Sequence, residues 1–172
     1  MLTFLNLEAE GFCSIESLHL QLNPTCTILI KAPNGKGKST ILSALVWAIY
    51  GKNLKGVSEV NTWKQVRPKD YKGTKVQVYF QKDSHTYKIV RCQKYDEVLE
   101  DGAKGKDRLI FMKDGDIVDI KGKGKIQDFI NREIGLSYTL FMNSILFGQD
   151  IKRLIQESNS DKKKIFEEVF DL

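Results

Sequence analysis

Apolar and polar residues alternate at the start of the chain, loosely from Leu2 to Glu10 before Gly11 and cleanly over Leu18-His19-Leu20-Gln21-Leu22. A period of two predicts two strands joined by a turn around Gly11 to Glu16, with His19 on the polar side. Pro24 separates them from Thr25 to Lys31, apolar at nearly every second residue, which predicts a third, central strand. From Lys38 the period changes to that of a helix. Ile41, Leu42, Leu45, Val46, Trp47, Ala48 and Ile49 leave almost no polar face before Tyr50 and the stop at Gly51, so cover on several sides is expected, with Trp47 in the core.

The pattern then loosens. Lys52 to Lys72 is polar, punctuated by Gly56 and Pro68, and predicts a long excursion with little regular structure. Lys75 to Phe80 and Tyr87 to Arg91 predict a hairpin of half-buried strands around Lys82 to Thr86, and Leu109 to Met112 with Ile117 to Ile120 predict another around Lys113-Asp114-Gly115-Asp116. Ile126, Phe129, Ile130 and Ile134 fall at helical spacing and stop at Gly135. Ser137 can cap a second helix carrying Leu140, Phe141, Ile145 and Leu146, stopped by Gly148 with Gln149 directly after it. Over Asp161 to Leu172, Ile165, Phe166, Val169 and Phe170 share one face of a last helix that carries no stop signal, which reads as cut or continued.

The stretch that organises these elements is Lys31-Ala32-Pro33-Asn34-Gly35-Lys36-Gly37-Lys38-Ser39-Thr40, between the predicted central strand and the apolar helix. It reads as a phosphate-binding loop. Glycines let consecutive backbone N–H groups curl around a phosphate, a lysine reaches the β- and γ-oxygens, and a hydroxyl holds Mg²⁺. Gly35, Gly37, Lys38 and Ser39 supply these parts in order. Ala32 stands where the pattern has its first glycine, and alanine resists the left-handed φ that glycine accepts. The helix that follows brings partial positive charge and free N–H groups to the same point.

Composition narrows the setting. The chain has 172 residues, 41% hydrophobic and 28% charged, which fits one ordinary globular domain. Lys and Arg number 27 against 22 Asp and Glu, a net +5 that suits a polyanion partner and equally suits solvated lysines. Two Gly/Lys segments, 102–106 and 121–125, concentrate the lysines. They read either as solvated turns or as a basic rim for nucleic-acid phosphates, with Lys104, Lys106, Lys121, Lys123 and Lys125 as candidate DNA contacts. Cys13, Cys26 and Cys92 are widely spaced, with no CxxC and no nearby histidine pair, so neither a disulfide framework nor a zinc site is indicated. The N-terminus lacks a basic leader pattern and the longest apolar run is too short to span a bilayer, so a cytoplasmic protein without a membrane segment is expected.

Taken together, these residues resemble the N-terminal half of the ATPase head in SMC-like DNA-repair proteins, specifically the SbcC-type ATPase subunit of the double-strand-break nuclease complex and its phage recombination-exonuclease relatives. The resemblance rests on Gly11-Phe12-Cys13-Ser14, the loop 32–40 with Ala48-Ile49-Tyr50-Gly51, Val76 to Phe80 with Tyr87 to Arg91, Phe141 to Gln149, and Lys162 to Leu172. It implies an α/β fold, a P-loop NTPase of the ABC/SMC head type. Residues 1–172 would be the N-terminal lobe, with an antiparallel β subdomain and helices, and 160–172 would start a helix leading into a coiled coil. ATP and Mg²⁺ are the implied cofactors, bound by Asn34, Gly35, Lys36, Gly37, Lys38, Ser39 and Thr40, with Ser39 on the metal. Gln149 corresponds to the Q-loop glutamine, which helps hold Mg²⁺ and senses the γ-phosphate. Many relatives carry an arginine where this chain has Cys13, and Lys36 stands where small residues are common.

The family's signature motif, its acidic strand with the general base and its histidine switch belong to a C-terminal half. No apolar run ending in Asp-Glu follows Gln149, and the only histidines are His19 and His85. A head fragment, or one of two pieces that combine, is therefore expected. The implied partners are the C-terminal lobe, a second head, a metallo-phosphoesterase nuclease subunit and double-stranded DNA. Three other readings stay open: an SMC-type clamp or loop-forming ATPase without nuclease, a transporter nucleotide-binding subunit, and a DNA-binding module with a vestigial phosphate loop.

Overall fold

A computed structural model describes residues 1–22, 25–60, 67, 69–120, 122–145 and 158–170. Two compact units divide the chain, Met1–Ile134 and Gly135–Leu172. The first is built on an antiparallel sheet of six strands: β1 (Leu2–Phe12), β2 (Ile15–Gln21), β3 (Thr74–Lys82), β4 (His85–Gln93), β7 (Leu109–Lys113) and β8 (Asp116–Ile117). Their spatial order is β2-β1-β3-β4-β7-β8. Alternation in the sequence puts Leu7, Val78, Ile89 and Phe111 in direct register across four strands, and all four are buried. Aromatic rings extend this layer, with Phe80 stacked on Tyr87 at 4.9 Å and Phe111 edge-on to Phe129 at 5.4 Å.

Helix α1 (Lys38–Tyr50) packs on β1, β3 and β4, and α2 (Lys123–Ile134) packs on β7 and α1. Only the second half of α1, Ala44 to Tyr50, is buried; Ser39 is exposed and Ile41 to Ser43 are intermediate, so the cover expected for the whole helix reaches half of it. Trp47 lies in the core, its ring 5.6 Å from Phe12 and its indole N–H donated to the carbonyl of Ser58 at 2.9 Å.

Two small strands, β5 (Tyr95–Val98) and β6 (Lys104–Lys106), form a separate hairpin. They correct two expectations. Residues 104–106 are strand rather than Gly/Lys loop, and β4 is buried on both faces rather than one. On β4 the residues alternate to opposite sides, so Ile89 faces α1 while Val90 and Cys92 face away. There they meet Tyr95, Leu99 and Ile110 in a second cluster, with Met112 against it. The other Gly/Lys segment is corrected as well: Lys123, Gly124 and Lys125 are the first turn of α2, while Lys121 lies outside the described residues.

The expected central strand is absent. Residues 25–33 have no regular structure, and Ile28, Leu29 and Ile30 are 38%, 85% and 37% exposed. A strand exists only where its N–H and C=O groups find a ladder partner. Among the described residues no strand pairs with this run, although its sequence suits a sheet buried on both faces. Smaller corrections fall at turns. The β1–β2 turn is only Cys13-Ser14, with Cys13 at positive φ, and the β7–β8 turn is Asp114-Gly115, with both residues at positive φ as suits a tight two-residue hairpin.

In the second unit, α3 (Tyr138–Ser144) is capped by Ser137, whose hydroxyl accepts from the Leu140 N–H at 3.2 Å. The helix stops before Ile145, and the expected continuation through Leu146 to Gly148 falls outside the described residues. Helix α4 (Asn159–Phe170) begins two residues earlier than the periodicity suggests, with Ile165 buried. No helix among the described residues is long and apolar enough to cross a membrane, and the three cysteines are free thiols.

Candidate functional site

The loop 31–37 delivers the chain into the N-terminus of α1. Gly35 and Gly37 have φ of 78° and 84°, a left-handed conformation that a Cβ disfavours. Ala32 is not among the residues of positive φ, so the strained positions fall on glycine and the alanine sits where its conformation is ordinary. Gly37 is the N-cap of α1, and it caps nothing with a side chain. Its carbonyl accepts from the N–H groups of Thr40 at 3.0 Å and Ile41 at 3.3 Å. The helix also has no acidic residue in its first turn, so its positive end is left without a countercharge there.

Lys38 folds back across the loop. Its Nζ donates to the carbonyls of Ala32 at 2.7 Å and Pro33 at 3.0 Å, which holds the ammonium over the loop backbone. Asn34, Gly35, Lys36 and Ser39 are exposed, and Thr40 is half-buried. The set offers backbone N–H groups, an ammonium and a hydroxyl, and no carboxylate. Such a donor set fits the phosphates of a nucleotide, and the Ser39 hydroxyl is an oxygen ligand of the kind Mg²⁺ takes.

Three residues that the motif does not contain fix this geometry. Ser14, from the β1–β2 turn, places its Oγ 3.3 Å from Thr40 Oγ1 and 3.0 Å from where a Cβ on Gly37 would stand. At the far end of α1, Arg91 of β4 donates from Nε to the carbonyl of Ala48 at 2.9 Å and from Nη2 to that of Ile49 at 3.2 Å. Gln127 of α2 donates to Ile49 at 2.8 Å and accepts from Arg91. Burial pulls the Arg91 guanidinium down to about 10, which leaves it protonated at neutral pH and able to serve as a cationic cap for the helix C-terminus. The available signal for Arg91 was an arginine at an inward position of an apolar strand; for Ser14 there was none beyond the turn itself. Cys13 beside it is half-buried, and burial raises its thiol pKa.

The remaining described candidates lie on other elements. Lys104 and Lys106 lie on β6, and Lys104 is ion-paired with Asp96 at 2.9 Å, so its charge is already partnered. Lys125 is exposed on the first turn of α2, where it lines an open depression of about 770 Å³ with Phe129 and Arg132. Gln149 lies outside the described residues, as does Lys121.

Comparison with known proteins fits this geometry. A family model described as AAA domain matches residues 6–172. The chain is 22% identical over 172 residues to a DNA double-strand break repair Rad50 ATPase of Methanopyrus kandleri, covering 96% of this chain and 18% of that protein. It is 29% identical over 163 residues to a probable Rad50 ATPase of the same description from Aquifex aeolicus, covering 94% of this chain and 16% of that one. The chain thus spans less than a fifth of the length of these relatives. A solved chain from work on ATP-driven dimerization and DNA-stimulated activation of SMC ATPases superposes with a TM-score of 0.60 at 21% identity, covering 97% of this chain and 99% of that one. The α/β lobe with its antiparallel sheet is therefore the fold of SMC and Rad50-like heads, and the chain belongs to the AAA domain family.

Proposed function

We propose that this chain is the ATP-binding lobe of a DNA double-strand-break repair and recombination ATPase, acting in the cytoplasm. One observation carries the reading: α1 opens without a side-chain cap behind two left-handed glycines, with Lys38 folded over the loop and Ser39 exposed. On this reading the N–H groups of residues 34–40 cradle the phosphates of ATP, Lys38 supplies a point charge at the β/γ end, and Ser39 holds Mg²⁺. Gln149 is the proposed second metal ligand. Mg²⁺ held there would supply neutralisation of phosphate charge.

The likeness to Rad50 proteins supports the finer reading that ATP closes two heads into a dimer, which controls access of DNA to a metallo-phosphoesterase nuclease partner. A C-terminal lobe would pair residues 25–31 into a sheet and bring the general base, and α4 would lead towards a coiled coil. Phosphoryl transfer depends on positioning and charge stabilisation, and among the described residues the loop provides a cradle with no carboxylate beside it to act as base for the attacking water. The chain alone is therefore expected to show negligible ATP hydrolysis, restored when a polypeptide carrying the C-terminal lobe is added. Release of phosphate measured with and without that polypeptide checks this, and brisk turnover by the chain alone would refute the division of labour.

A further inference from the structure

We infer that Ser14 is a positioning residue for the phosphate loop, a role that rests on the ATP-binding reading above. The β1–β2 turn is two residues long, closed by the pair Phe12 and Ile15, with Cys13 at φ 50°. So short a turn on two regular strands leaves Ser14 little freedom to move away from the helix. Its Oγ lies 3.3 Å from Thr40 Oγ1, within hydrogen-bond reach. The same oxygen is 3.0 Å from the point a Cβ of residue 37 would occupy, so it rests against the N-cap glycine. One hydroxyl thus touches both the residue that turns the loop into the helix and the hydroxyl in the first helical turn.

Two consequences follow from the chemistry. A threonine hydroxyl rotates freely about its C–O bond unless a partner selects an orientation, and Ser14 can donate to Thr40 or accept from it. If Ser14 donates, the Thr40 proton is free to point at an anion; if it accepts, a lone pair of Thr40 faces outward and opposes one. An anionic ligand at the helix N-terminus selects the first arrangement. Ser14 therefore orients Thr40 as a donor towards phosphate, while its Oγ takes the space that a side chain at residue 37 would need. It touches no ligand itself and acts through Thr40.

The test uses the full chain and two probes, Mg-ATP and inorganic tripolyphosphate, in equilibrium binding titrations. Loss of one orienting hydrogen bond predicts a three- to tenfold weakening for Ser14→Ala with both probes, because the effect lies at the phosphates and not at the base. Ser14→Thr keeps the hydroxyl and is expected to recover wild-type affinity to within about twofold. In a Thr40→Val background, Ser14→Ala is expected to add nothing, since the group it acts through is gone. Thermal unfolding of each variant guards against a general loosening, which would lower the transition without rescue by threonine. Unchanged affinity in Ser14→Ala, or the same loss with and without the Thr40 hydroxyl, overturns the inference while the ATP-binding reading stands. Failure of the wild-type chain to bind either probe overturns both.

Discussion

At Gly37 three requirements meet in one residue: a left-handed φ of 84°, a neighbouring hydroxyl at 3.0 Å from any added Cβ, and an N-cap that leaves the helix end open. Alanine leaves the helix end open but fails the first two, because left-handed backbone costs an L-residue about 1–2 kcal/mol before the contact with Ser14 is counted. Gly37→Ala is accordingly expected to weaken Mg-ATP binding about tenfold or more while the sheet core keeps its fold. Equilibrium dialysis and a far-ultraviolet melt measure the two effects separately, and wild-type affinity would contradict the geometry. The loop was legible in the sequence because its parts are contiguous, so spacing alone places lysine, hydroxyl and glycines together. Ser14 was not legible as a neighbour of Thr40, since the two are 26 residues apart and only the hairpin brings them together. Ala32 shows the limit in the other direction: its departure from the motif carries no conformational penalty, because the left-handed turns lie at Gly35 and Gly37.

Among the elements, α1 is fastened at its C-terminal end by side chains from two others. Arg91 and Gln127 together satisfy the carbonyls of Ala48 and Ile49, and the guanidinium lies 5.9 Å from the Trp47 ring. Truncating Arg91 takes the side-chain donor from the Ala48 carbonyl and from the Gln127 amide oxygen and leaves Ile49 with Gln127 alone, so Arg91→Ala is expected to cost about 3 kcal/mol of stability, read from urea unfolding. Arg91→Lys should recover little, because a single ammonium cannot reproduce the fork that reaches α1 and α2 at once. A loss below about 1 kcal/mol would show that the clasp is incidental. Strands β1, β3, β4 and β7 were legible because alternation is a local signature of a half-buried sheet. Residues 25–31 carry the same signature without forming a strand, since pairing needs a partner that periodicity does not reveal. Strands β5 and β6 were missed for the opposite reason: their lysines and carboxylates hide the few inward residues, Tyr95 on β5 and Leu99 just after it, that cover β4.

Across the whole molecule, the net charge of +5 was the feature least able to locate a function. Lys104 is partnered by Asp96, whereas Lys125 is exposed beside Arg132 at the edge of α2. If the α2 end forms part of a DNA surface in the assembled protein, neutralising Lys121, Lys123 and Lys125 together will weaken binding to every sequence. The salt dependence should flatten by about one unit of slope per lost phosphate contact, with ATP affinity unchanged. A wild-type slope in that variant would return these lysines to the role of solvated surface. On the proposed reading nucleotide binding comes before any such partner and rests on the loop and the first turn of α1. Calorimetric titration of the chain with Mg-ATP, beside the Lys38→Ala variant, tests it most directly: saturable binding is expected in the wild type and none in the variant, because backbone N–H groups cannot replace the ammonium. Equal affinity in the two proteins would contradict the assignment of residues 31–40 as a phosphate-binding loop.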